Sequence, residues 1–254
     1  MRSDTTWFQF LGSETTMRSS HTFSAVAVTL TMAGLLLASP SAANAGGLEL
    51  NQFQPMADQQ HNYLSAPSTV IAPEGQWQGM MMLNVANDPL VLRDGGGERA
   101  TSLVSSQSTL HLMGSYAAFD WLELGLNLPL LVQQGGAATA PPGVTSVDTG
   151  RGIGDIRFTS KARLYDTDAD EDQIEFAVAA VLDTHLPTGN SDNLQGGDFR
   201  IGPTVAAELI FPEGHRVGTH LGYQFRSSTT VHDLEVNDTV GWGLAGEFAV
   251  HDEV

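Results

Sequence analysis

The stretch "WLELGLNLPLLV", residues 121–132, decides how the rest of the chain is read. Leucine fills every even position from 122 to 130, and Glu123, Gly125, Asn127 and Pro129 stand between them. Successive side chains of a strand point to opposite faces, so the segment forms a strand with one leucine face and one polar or small face. The leucines then either cover a soluble core or lie against the hydrocarbon of a membrane.

Seven further runs repeat the period of two, around 77–86, 100–119, 155–165, 173–183, 199–211, 216–226 and 240–250. In the run 155–165, Ile156, Phe158, Ala162 and Leu164 oppose Asp155, Arg157, Lys161 and Arg163. In 173–183, Ile174, Phe176, Val178, Ala180 and Leu182 oppose Glu175, Ala177, Ala179 and Asp183, with Val181 as the exception. Eight alternating runs predict an all-β protein. Many reach ten residues or more, longer than the ~5–6 of soluble strands and matched to the ~9–11 of a tilted strand that crosses a membrane.

The links between runs alternate in length. "FDW", "DTDADED" and "PEGH" are short, whereas "QQGGAATAPPGVTSVDTGRG", "HLPTGNSDNLQGGD" and "SSTTVHDLEVNDT" are long. Outer-membrane barrels segregate short periplasmic turns from long external loops in this way, and a soluble sandwich has no reason to. If the first strand runs outward, "DGGGE" at 94–98 is the first external loop. A sheet crossing lipid must also close on itself, because each backbone N–H or C=O left unpaired in hydrocarbon costs several kcal/mol. The pattern therefore predicts an antiparallel transmembrane β-barrel. Its expected lumen-lining residues, all on the faces opposite the apolar ones, are Glu123, Asn127, Asp155, Arg157, Lys161, Arg163, Glu175, Asp183, Glu208, His220, Arg226 and Glu247.

The N-terminus sets the compartment. Arg18 and His21 precede an apolar run from Phe23 to Ala38, and Ala43 and Ala45 stand at the positions of an A-x-A cleavage site. Residues 1–45 are expected to be a secretory signal, with 1–16 an over-extended start before Met17. Residues 46–75, with Pro55, Pro67 and Pro73, read as an irregular N-terminal segment, and 76–254 as the barrel domain. The formal charge of −18, with Lys161 as the only lysine, argues against nucleic acid as a partner. Without cysteine there is neither a disulfide scaffold nor a thiolate site.

No residues are expected to carry catalysis. "DTDADED" at 166–172 imitates the start of a calcium loop, but Glu171 stands where glycine is needed and Ala177 where glutamate is, so it reads as a solvated acidic turn. His111, His185, His220 and His232 raise an outer-membrane lipid hydrolase as an alternative. His220 falls on the interior side, away from lipid, and neither G-x-S-x-G nor H-E-x-x-H occurs. No cofactor and no metal site are expected.

Several stretches resemble a known family: "NDPLVLRD" at 87–94, "FDWLELGLNLPL" at 119–130, "GIGDIRFTSKARL" at 152–164, "LPTG" at 186–189 and "GTHLGYQFR" at 218–226. Together they look like the N-terminal transmembrane β-barrel of Gram-negative OmpA-associated and transporter-type outer-membrane proteins, similar to barrels associated with phenol meta-degradation. The resemblance implies a barrel of about 12 strands in the outer membrane. Eight visible strands could form a small closed barrel, but "FAVHDEV" lacks the terminal aromatic that usually closes one, so 76–254 is expected to be an incomplete larger barrel, a truncated product missing C-terminal strands. The expected role is structural or passively porin- or transporter-like. Its partners would be outer-membrane lipid, the barrel assembly machinery during insertion and small polar solutes. A secreted soluble β-sandwich with binding or adhesive contacts is the alternative that keeps the alternation and turns the leucines into a core.

Overall fold

The structure, a computed structural model, describes residues 49–51, 53–93, 95–136, 150–167, 172–189, 194–196, 198–231 and 234–249. The expected signal at 1–45, most of the acidic turn at 166–172 and His232 lie outside them. The chain is all-β. Eight strands form one antiparallel sheet: β1 (Trp77–Arg93), β2 (Arg99–Phe119), β3 (Leu122–Gly136), β5 (Ile156–Asp166), β6 (Glu175–Leu186), β7 (Arg200–Ile210), β8 (Arg216–Arg226) and β11 (Thr239–Glu247). Each pairs with its sequence neighbour, as expected when two-residue and longer hairpin links join the runs.

Three short elements sit in the long connections. β4 (Gly150–Ile153) adds to β3, while β9 (Thr229–Val231) and β10 (Leu234–Val236) form a separate hairpin between β8 and β11. The β1–β2 hairpin extends well past the alternation seen in sequence, 17 and 21 residues long, with irregular register from Asn87 onward. Asp88 takes a positive φ of 50° at that irregularity, and its carboxylate accepts from the Ser102 hydroxyl at 2.8 Å.

The sheet curls through 245° about an axis and stays open. About a third of the circle is uncovered, and the outer edges of β1 and β11 have no partner strand among the described residues.

Curling gives the sheet a concave and a convex face, and the alternation assigns residues to them. The most deeply buried large side chains are Lys161, His111, Gln107, Gln195 and Glu208, all polar. Among the described residues the buried apolar cluster comprises Ile71, Ala72 and Ala117. Outside, Trp77 is 76% exposed, Met81 73%, Leu221 61% and Trp242 73%. The even-numbered leucines of the opening stretch lie on this convex side, where Leu126 is exposed, and Glu123, Asn127 and Leu131 are buried on the other. Val181, out of phase in hydrophobicity, follows the backbone period and is buried on the concave side.

Residues 49–76 cover that concave face. Among the described residues of this segment there is no strand beyond an isolated bridge from Glu49 to Gln195, yet Asn51, Met56, Asp58, Asn62, Thr69 and Ala72 are buried. Gly125 shows how closely the segment approaches, for a Cβ there would stand 2.9 Å from that of Ala57 and 3.5 Å from that of Thr159. The expected effect of Gly125→Val is displacement of this segment at a cost of about 1–3 kcal/mol from over-packing. Limited chymotrypsin digestion should show faster cleavage at Tyr63, with the strands still protected; an unchanged rate would mean that the segment does not rest on β3.

Candidate functional site

The candidate site is the polar concave face together with the segment that fills it. Its construction follows the strand registers. Asn127 pairs with Arg157, Arg157 with His185, His185 with Arg200 and Arg200 with Arg226, so β3, β5, β6, β7 and β8 set five polar side chains on one rung. A second rung joins Glu123 to Lys161 and Lys161 to Val181.

On the first rung, Arg200 is buried and donates through Nη2 to Glu49, to Asp155 at 3.1 Å and to His185 Nδ1 at 3.2 Å. Asp155 is held from several sides. The Gly189 N–H donates to it at 2.8 Å, and a Cβ at Gly196, whose φ is +94°, would collide with its carboxylate. Thr188 donates through its hydroxyl to the Gly154 carbonyl at 3.1 Å and accepts from the Ile156 N–H at 2.9 Å. "GIGD" and "LPTG", remote in sequence, therefore meet around one carboxylate. Arg157 donates to the Pro55 carbonyl and stands 3.8 Å from Asp183, which accepts from the Thr159 hydroxyl at 2.5 Å.

On the second rung, Lys161 is 1% exposed and donates to Asn62 Oδ1 at 3.1 Å and to the Val70 carbonyl at 2.6 Å, with Glu123 at 3.5 Å. Two of its three N–H bonds thus end on the N-terminal segment. Farther along the face, Glu208 accepts from the Tyr63 hydroxyl and, at 2.9 and 2.7 Å, from the N–H and hydroxyl of Thr69. Arg216 lies over the Tyr63 ring, 5.4 Å from its centroid, and pairs with Glu247. His111 contacts Asn51 and Asn127, each at 3.2 Å.

The ionisable groups of the segment respond to this setting. Burial pushes the Glu49 carboxyl up, against the pull of Arg200. Asp58 would also be raised by burial, but its contacts with Glu123 and His61 outweigh that and hold it below the usual range. The Tyr63 hydroxyl is pushed up by burial and by Glu208.

The remaining residues expected in the lumen are placed as follows. Arg163 is half-buried and donates to the Thr69 carbonyl at 3.3 Å. Glu175 is half-buried at the start of β6, His220 is half-buried on β8 with its ring over Gly243, and the Glu247 side chain is 53% exposed. Sequence reasoning named none of His185, Arg200 and Arg216 as lining. The signal was present, for Arg200 shares the parity of Glu208 along β7. Among the described residues no group of acids and histidines has a metal-binding arrangement.

What this geometry does chemically is fasten one part of the chain to another. Buried ion pairs repay their desolvation poorly, but removing one partner leaves the others stranded and costs several kcal/mol. Glu208→Ala strands three donors, so the segment should loosen by about 3 kcal/mol. Hydrogen exchange should then speed up roughly 100-fold at the Thr69 amide and little in the β2–β3 hairpin; equal loss at both would mean that segment and sheet unfold as one unit.

Among known proteins, a family model described as "Putative MetA-pathway of phenol degradation" matches residues 100–253. Neither the curated proteins nor the solved structures give a match.

Proposed function

We propose, since the chain belongs to the family described as "Putative MetA-pathway of phenol degradation", that its sheet is the wall of a plugged outer-membrane β-barrel with a structural or passive porin- or transporter-like role. The observation that carries this reading is the chemistry of the convex face. Over residues 77–87, 106–118, 122–132, 156–164, 176–186, 201–209, 217–225 and 240–248, the positions directed to that side hold no Asp, Glu, Lys or Arg. The large apolar side chains exposed there amount to on the order of 1,500–2,000 Å², several times the largest patch of a typical soluble monomer. At ~25 cal/mol per Å², leaving that surface in water forgoes roughly 40 kcal/mol, more than the whole stability of an ordinary domain.

Aromatic residues at the strand ends add support. Trp77, Tyr116, Phe119, Trp121, Tyr165, Phe176 and Phe248 flank the short connections, with Phe119 and Trp121 stacked at 5.4 Å. Such rings suit the headgroup boundary, where one end is apolar and the other wet. Hydrocarbon also requires the outer edges of β1 and β11 to be paired, so closure requires further strands across the open third of the circle. In this reading the chain reaches the outer membrane of a Gram-negative cell through the assembly machinery after loss of residues 1–45. The segment 49–76 then acts as a plug. Passage of small polar solutes would be passive and governed by how that plug sits, with no chemical step.

Leu221→Arg tests the reading. In a bilayer it should cost about 2–4 kcal/mol in reversible unfolding from lipid vesicles, with loss of the heat-modifiable band on unboiled gels. In water the same exposed position should tolerate arginine within about 0.5 kcal/mol. A cost that small, with the protein remaining in solution without detergent, would overturn the membrane assignment.

A further inference from the structure

The wall is not uniformly sealed. On either side of β7 and β8 the ladders run without a break, 175–185 against 200–210 and 216–224 against 239–247. Between β7 and β8 the pairing passes from Ile201 with Phe225 directly to Thr204 with Gly222, in one register, and omits Gly202 and Pro203. Proline has no N–H, so β7 lacks a donor for β8 at this point. A sheet interior seldom accepts proline, and in hydrocarbon no water replaces a missing ladder bond. Pro203 nevertheless stands as the fourth residue of a strand paired on both sides.

Spaces on the two faces meet at this gap. On the convex side, Leu182, Pro203, Val205, Leu221, Tyr223 and Val240 line a hollow of about 540 Å³. On the concave side, a cleft of about 220 Å³ lies between Gln54 of the plug and strands β6, β7, β8 and β11. Thr204, Gly222 and Tyr223 border both. Gly222 has no side chain, and Tyr223, exposed on the convex side, donates through its hydroxyl to Asp238 at 2.8 Å. Of the three, that leaves the Thr204 side chain between the two spaces, with its Oγ1 over the position a Cβ on Gly222 would take.

The lining sets the chemistry of what could pass. Polar side-chain atoms in the convex hollow come only from Thr204 and Tyr223, and the Tyr223 hydroxyl is engaged, so a charged solute would lose its hydration there without replacement. At ~30 Å³ per water, the concave cleft holds the bulk of about seven waters, or one solute of about seven non-hydrogen atoms.

We propose that the seam between β7 and β8 is a lateral port, through which a small neutral apolar solute passes between the plugged interior and the hydrocarbon. The port rests on the membrane reading of the convex face and adds a sideways route for apolar solutes to the axial one for polar solutes. Passage needs the strands to part where their ladder is already incomplete and the Thr204 side chain to turn aside.

The chain has no cysteine, so an introduced disulfide can lock the seam. A Cβ on Gly222 would lie 3.3 Å from that of Thr204, close to the ~3.5–4.5 Å of a disulfide. Thr204→Cys with Gly222→Cys is compared with Val178→Cys with Ala207→Cys, a lock on the continuous β6–β7 ladder. The full chain is expressed in a Gram-negative host, and initial uptake of methylcyclohexane by washed cells is measured under oxidising conditions and after reduction. Wild-type cells should take it up faster than cells without the protein. Locking the seam should lower that protein-dependent uptake at least tenfold, with recovery on reduction, and the β6–β7 lock should leave it unchanged. Pro203→Val, which supplies the missing N–H without a cross-link, should lower it too, and it decides the matter if the double variant fails to fold. The heat-modifiable band in the outer-membrane fraction separates the port from the barrel. With the band present, uptake absent in wild type, indifferent to the lock or to Pro203→Val in folded protein, or lowered equally by the β6–β7 lock would overturn the port and leave the barrel standing. Protein recovered soluble and without the band would overturn both.

Discussion

A sheet that turns its polar side inward has to find a partner for every donor and acceptor it buries. Lys161 states the problem in its sharpest form, as the only lysine of the chain and, among the described residues, the largest of the fully buried side chains. An ammonium so placed survives only with oxygen around it. Asn62 and the Val70 carbonyl supply two of those oxygens from the N-terminal segment, and Glu123 the third from the next strand. The same exchange recurs at Arg157 with Pro55, at Arg200 with Glu49 and at Glu208 with Tyr63 and Thr69. Wall and plug therefore determine each other, since neither satisfies its polar groups alone.

This dependence makes the arrangement of the protein the reverse of a soluble sandwich. Side-chain packing in an ordinary domain draws apolar groups together, and the small cluster around Ile71 and Ala117 is far too slight for that here. Hydrogen bonds and ion pairs hold the interior instead, with directional geometry that sets the register of plug against wall. Such contacts contribute little net stability apiece but penalise misplacement heavily.

Most of the wall was legible in sequence because a period of two is a local property. The leucines of 122–130 and the charges opposite them assigned both faces of β3, and Arg157, Lys161 and Arg163 did the same for β5. The alternation predicts backbone direction even where hydrophobicity misleads, as at Val181. Loop elements were hidden: β4, β9 and β10 are too short to show a period. The plug was hidden for a different reason. Its contacts join Tyr63 to Glu208 and Gln54 to Arg157 across more than a hundred residues, and an irregular segment carries no periodicity that points to its partners. Its composition held a partial signal, being free of lysine and arginine and rich in oxygen acceptors, as befits a strip laid against a basic wall. The cradle of Asp155 was likewise visible only as two glycine-containing motifs with no indication that they meet.

The central claim is that the apolar convex face lies against hydrocarbon. Trp242, 73% exposed on β11 and directed to that side, reports on it directly. A variant keeping Trp242 as its only tryptophan, reconstituted into vesicles, would have its fluorescence measured with phospholipids brominated at successive depths along the acyl chain and with aqueous iodide. Strong quenching by the acyl bromines and little by iodide is the result this account predicts; quenching by iodide with none from any brominated lipid would place the convex face in water and contradict it.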